Sequence, residues 1–130
     1  MDTTSIKLSV VSPNFSKVNH RFWCNESTLT RDLTGKVYIV TGANSGLGKS
    51  LVFQLAKQGA TIVCACRSVV KGNAIKDAIV KTTPGAKVEV MECDVASLKS
   101  VRNFVVAFTA AYDSLHALIN NAGIMNTKNG

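Results

Sequence analysis

Seven residues, Gly42-Ala-Asn-Ser-Gly-Leu-Gly48, constrain this chain most, because they join two segments of different periodicity. Before them, Val37-Tyr-Ile-Val-Thr41 is the short β-branched run expected of a buried strand. After them, Leu47, Leu51 and Leu55 recur at i, i+4 and i+8 with Val52 and Ala56 alongside, while Lys49, Gln54, Lys57 and Gln58 fall on other faces. That pattern predicts an amphipathic helix, ended by Gly59 in the C′ position. Gly42 permits a sharp exit from the strand, and Gly46 and Gly48 let a pyrophosphate approach the backbone and the helix pack close to the sheet. The helix start adds free N–H groups and a partial positive charge. Such turns also occur without a ligand, but a strand before and a helix after favour nucleotide binding.

The rest of the chain repeats this alternation. Thr61–Ala65 predicts a second strand, and a helix through Ala74, Ile75, Ala78 and Ile79 stops before the turn signal Thr83-Pro84-Gly85. Val88–Cys93 predicts a third strand. Ser97 is placed to cap a helix whose apolar stripe is Leu98, Val101, Val105 and Phe108, and Leu115–Asn120 predicts a fourth strand. Alternation of this kind means an α/β fold with parallel strands and helical crossovers. Right-handed crossovers and a glycine-rich first turn give a Rossmann-type, doubly wound sheet of order 3-2-1-4, stopping after the fourth strand. Residues 1–34 lack sustained periodicity and are expected to form an irregular or partly helical leader. It carries Phe22-Trp23, which could pin it to a partial dinucleotide-binding domain over 35–130.

Composition narrows the function classes. Leu, Ile, Val and Phe make up 37 of 130 residues, too many for wholesale disorder. The net charge of +7 raises nucleic-acid or membrane binding. Its distribution points elsewhere: Lys49, Lys57, Lys71, Lys76, Lys81 and Lys99 are spaced singly, as on solvated helix faces, with no basic run of five. Cys24, Cys64, Cys66 and Cys93 form no C-x-x-C pair and stand far in sequence from His20 and His116, so no zinc site is expected. There is no membrane-length apolar run and no secretion signal. A reducing cytosol is therefore expected, although the Ser/Thr-rich, acid-poor start leaves organelle targeting open. The triplets beginning at Asn14 and Asn25 fit the glycosylation pattern, which matters only in a secreted chain.

A competing motif overlaps the glycine turn. Ala43-x-x-x-x-Gly48-Lys49-Ser50 nearly matches the phosphate loop of nucleoside triphosphatases, with Ala where the first Gly belongs. There Lys49 would reach the β/γ-phosphates and Ser50 would hold Mg²⁺. Glu89 and Glu92 in the third strand, and the natural place of Lys49 on an outer helix face, count against it.

Three motifs with compatible spacing carry a resemblance: Thr41-Gly42-Ala-Asn-Ser-Gly46-Leu-Gly48, Asp94-Val95 after the third strand, and Asn120-Asn121-Ala122-Gly123 after the fourth. Together they resemble the cofactor half of the short-chain dehydrogenase/reductases. Ala65-Cys66-Arg67 and Asp32-Leu-Thr-Gly-Lys36 look most like the retinol-dehydrogenase and protochlorophyllide-reductase branch. The resemblance implies that Gly42, Asn44, Ser45, Gly46, Leu47 and Gly48 wrap the pyrophosphate and adenosine ribose. It also implies that Asp94 and Val95 hold the adenine, that Asn121, Ala122 and Gly123 lie along the nicotinamide-side ribose, and that Asn120 ties the strand ends. Asp94 alone could equally be a turn aspartate.

Cofactor choice follows from charge. An NAD site usually places a carboxylate at the end of the second strand for the ribose 2′-OH. Here Cys66 stands there and Arg67 follows, and a guanidinium can grip a 2′-phosphate that a carboxylate would repel. NADP(H) is expected over NAD. The family's Ser and Tyr-x-x-x-Lys are not found: Tyr38 is followed four residues on by Gly42, and Tyr112 by His116. The resemblance thus implies a nicotinamide-binding portion of an oxidoreductase acting on a carbonyl or alcohol, inactive alone, with its catalytic residues beyond Gly130. A stand-alone nucleotide-binding or interaction module is the alternative. A fourth strand left as an exposed edge, with one helix on that sheet face, predicts self-association.

Overall fold

A computed structural model describes residues 25–44 and 46–123. Phe22, Trp23, Cys24 and Ser45 lie outside the described residues. The elements run α1 (Glu26–Leu29), β1 (Val37–Thr41), α2 (Gly46–Lys57), β2 (Thr61–Cys66), α3 (Val69–Thr82), β3 (Lys87–Glu92), α4 (Leu98–Ala111) and β4 (Ala117–Ile119). The four strands form one parallel sheet in the order β3-β2-β1-β4. The expected doubly wound topology is therefore present. β4 is shorter than the run Leu115–Asn120 suggests, pairing with β1 only through Tyr38↔Ala117, Ile39↔Leu118 and Val40↔Ile119.

Strand parity divides the core in two. Val40, Ile62, Cys64 and Val88 point to the face covered by α2 and α3, where they meet Val52, Leu55, Ala56, Ile75 and Ile79. Ile39, Val63 and Ala65 point to the opposite face and meet Phe104 and Phe108 of α4. The chain thus changes faces between α3 and α4. The two crossovers flanking β1 lie on opposite faces, which opens the sheet's carboxyl end between β1 and β4.

Local chemistry sets the helix ends. Gly59 takes φ 84°, the Gly59 N–H donates to Ala56 O and the Ala60 N–H to Leu55 O, a Schellman ending for α2. Ser68 and Ser97 cap α3 and α4 by accepting from Lys71 N and Ser100 N. α3 lies close on the sheet because residue 72 is glycine: a Cβ there would sit 2.6 Å from Cys66 Sγ and 2.5 Å from Val90 Cγ1.

The lead-in is tied down. Asp32 accepts from the N–H and hydroxyl of Thr34, which holds its carboxyl below the ordinary range, and Leu33 plugs the core while its N–H donates to Gln58 O. Gln54 Nε2 donates to Leu29 O, and Gln58 Nε2 donates to Thr28 O and Arg31 O. These bonds fix residues 28–33 along α2.

Two helical stripes differ from expectation. Leu47 is 83 % exposed, because it stands in the first turn of α2 above the carboxyl end of the sheet. In α4, Phe104 and Phe108 are buried with Val101 beside them, while Leu98 and Val105 are exposed. Leu98 lies in the first turn of α4, and Val105 lines a groove of about 620 Å³ along the β4 side of the sheet, together with Ile39, Val95, Leu118 and Asn120. Among the described residues, no helix is long and apolar enough to cross a membrane.

Candidate functional site

The carboxyl ends of β1 and β4 are locked together by one hydroxyl and one amide. Thr41 Oγ1 accepts from Asn121 N at 3.0 Å and Ala122 N at 2.9 Å, and donates to Ile119 O at 3.3 Å. Asn121 Nδ2 donates to Thr41 O at 3.1 Å and Gly42 O at 3.2 Å. Thr41 is buried, so this hub satisfies backbone groups that have little access to water. The strand ends are tied by Asn121, whereas Asn120 is exposed and lines the groove. The hydroxyl of Thr41 and the inward amide of Asn121 are functions that the motif spacing alone does not assign.

This tie explains two of the glycines. A Cβ on Gly42 would lie 2.9 Å from Ala122 Cα, and Gly42 also takes φ 62°. A Cβ on Gly48 would collide with the Asn121 amide and lie 2.5 Å from Gly42 O. Gly46 is different: its φ of 57° favours glycine, but a Cβ there would meet open space. The turn is therefore packed from below at Gly42 and Gly48 and open above at Gly46.

The other candidate residues follow the carboxyl ends of the strands or open α2. Asn44 is half-buried, and Leu47 is exposed at the start of α2, whose first turn contains no acidic residue. The first N–H groups of a helix have no partner within it and suit an anion. The Gly42 N–H donates to Ala65 O at 3.0 Å, setting the turn beside the end of β2, where Cys66 is buried and Arg67 exposed. Beyond β3, Asp94 Oδ1 accepts from Ala96 N at 3.0 Å and Asp94 N donates to Ser100 Oγ at 2.8 Å. Asp94 is thus held in a turn anchored by α4, with Val95 exposed next to it. Ala122 and Gly123 follow the tie at the mouth of β4. For the overlapping phosphate-loop motif, Lys49 is exposed and the Ser50 hydroxyl donates to Gly46 O at 3.4 Å.

The thiols near the site are quiet. Burial, then the neighbouring Cys66, pushes the Cys64 thiol up to about 12, and burial also raises Cys66 and Cys93. All three are free and buried. They behave as small apolar groups rather than nucleophiles.

Comparison with known proteins gives this geometry a lineage. Residues 36–130 match the short chain dehydrogenase family. Human retinol dehydrogenase 11 is 46 % identical over 98 residues, 75 % of this chain and 31 % of that protein. Bovine retinol dehydrogenase 12 is 39 % identical over 118 residues, 91 % of this chain and 36 % of that protein. This chain spans about a third of the length of these relatives. Among solved structures, a metagenomic short-chain oxidoreductase in complex with NADP superposes with a TM-score of 0.66 at 34 % identity, covering 71 % of this chain and 41 % of that one. Menthone neomenthol reductase from Mentha piperita gives 0.65 at 34 %, covering 68 % and 32 %. The match over residues 36–130 and these identities establish the lineage: the chain belongs to the short-chain dehydrogenase/reductase family.

Proposed function

We propose that residues 36–123 form the NADP(H)-binding part of an oxidoreductase acting on a carbonyl or alcohol. When bound, the nicotinamide supplies or accepts the hydride. The chain's own residues bind and orient it. The α2 N-terminus, with Gly42, Asn44, Ser45, Gly46, Leu47 and Gly48, receives the pyrophosphate, and the open space over Gly46 fits a group that needs close backbone contact. Asp94 and Val95 hold the adenine, and Ala122 and Gly123 lie along the nicotinamide-side ribose. Asn121 supports that end from beneath, because its amide is committed to Thr41 and Gly42.

The observation that carries the cofactor choice is at the end of β2. No carboxylate stands there; Cys66 is buried, and the exposed Arg67 follows beside the turn. A guanidinium there attracts a 2′-phosphate, and a bidentate grip adds geometric selectivity. The solved NADP complex of a relative supports the same choice.

The 130 residues contain no Tyr-x-x-x-Lys to pass a proton to a carbonyl oxygen. Tyr112 does not substitute, since its hydroxyl is bonded to Glu89 and burial, then that bond, pushes it up to about 12. The 130-residue chain therefore binds the cofactor without turning over substrate. Thermal shift with NADP, NAD and ATP tests the binding. The largest rise is expected with NADP. An equal or larger rise with ATP overturns the dinucleotide assignment, and NADPH oxidation with aldehydes such as retinal overturns the silence.

A further inference from the structure

We propose that His116 makes the start of β4 a pH-sensitive clip: the neutral imidazole holds β4 on β1, and protonation releases it. Two bonds join His116 to Val37 at the first rung of the β1–β4 pair. The His116 N–H donates to Val37 O at 2.9 Å, an ordinary rung of a parallel ladder. The Val37 N–H, however, donates to the His116 side chain, Nδ1, at 2.9 Å. An imidazole therefore does the work that a backbone carbonyl does elsewhere in the sheet.

That substitution has a chemical consequence. Nδ1 can accept only while it is unprotonated, so the proton of the neutral ring sits on Nε2. Protonation puts a hydrogen on Nδ1, removes the acceptor, and sets two N–H groups against each other. His116 is exposed, so protons reach it from solvent. The charged residues in the segments that meet there are Lys36, next to Val37, and Asp113, in the connection from α4. They oppose each other in sign, and the Val37 N–H donates to the imidazole rather than to the Asp113 carboxylate.

The clip is consequential because β4 is short. Three residue pairs hold it to β1 between the His116 rung and the Thr41–Asn121 tie. Losing the first rung is therefore a large fractional loss. The inference rests on strand pairing alone and stands whether or not the chain binds a dinucleotide.

Hydrogen exchange of the full chain, corrected for intrinsic rates, between about pH 8 and about pH 5 tests it. On acidification, the amides that face one another across the β1–β4 pair (Val37, Ile39, Thr41, His116 and Leu118) and those of Asn121 and Ala122 in the tie are expected to exchange about tenfold faster relative to α3, whereas Tyr38 and Val40, which face β2, keep their protection. His116→Asn offers an oxygen in place of Nδ1 and does not titrate, so it is expected to keep the protection and lose the pH dependence. His116→Ala is expected to exchange fast throughout. The proposal is overturned if wild type shows no selective change, or if the Asn variant follows the same pH profile. Should the Ala variant not fold, the comparison of wild type with the Asn variant decides alone.

Discussion

Gly46 and Gly48 stand in the same turn and answer to different constraints. Gly48→Ala forces a methyl against Gly42 O and the Asn121 amide, and it is expected to lower stability by about 2 kcal/mol or more in chemical denaturation. Gly46→Ala meets no atom and is penalised only by its positive φ, so it is expected to cost about 1 kcal/mol. Equal losses would contradict this division. Thr41→Val keeps the shape but removes the oxygen that serves Asn121 N and Ala122 N, with an expected loss of about 1–3 kcal/mol by the same measurement. The sequence marks the glycines as special because no other residue adopts such turns freely. It does not show which of Asn120 and Asn121 faces inward, since that depends on where β4 stops and on a hydroxyl 80 positions away. Nor does it separate a ligand-bearing Asp94 from a turn aspartate, because the same carboxyl can accept from Ala96 and still face outward.

The order and type of the main elements were legible because glycine, proline and serine mark their ends and apolar periodicity marks their interiors. Exposure was less legible at helix starts, where Leu47 and Leu98 extend beyond the sheet although they keep the helical spacing. Periodicity reports a face, and only the sheet's extent decides how far along the helix that face is covered. The C-terminal end of α4 shows a contact that no motif announces: the Tyr112 hydroxyl donates to Glu89 Oε2 at 2.5 Å and its ring stacks on Phe108 with centroids 5.1 Å apart. Burial and that bond raise the phenol to about 12, above its unfolded value near 10. A raised value favours the protonated form in the folded state. The contribution is therefore complete below about pH 10 and lost as pH rises towards 12. Tyr112→Phe is expected to cost about 1 kcal/mol at neutral pH and to lose the excess alkaline sensitivity of wild type between those values. Parallel stability curves for the two proteins would contradict the assignment.

At the scale of the molecule, the sheet is covered unequally. α2 and α3 shield one face, whereas on the other α4 is the only helix among the described residues, leaving Leu115, Leu118 and Val105 exposed beside an edge strand. The 130-residue chain is therefore expected to self-associate at micromolar concentration, and Leu118→Lys to reduce this by charging the edge. Sedimentation velocity checks it, and a monodisperse monomer at all concentrations would contradict it. The parallel α/β class was readable from the strand-helix alternation, and the strand order from right-handed crossovers and the glycine-rich first turn. The face change that opens the site was readable only through the handedness of crossovers, because no single residue encodes it. The central claim is that this opening holds NADP(H) through the glycine turn and Arg67. Its most direct test is a fluorescence titration of wild type and Arg67→Ala with NADPH and NADH. Wild type is expected to bind NADPH more tightly, and the variant to lose about tenfold or more for NADPH with little change for NADH. Equal affinities in wild type, or an Arg67→Ala variant that binds NADPH as wild type does, would contradict it.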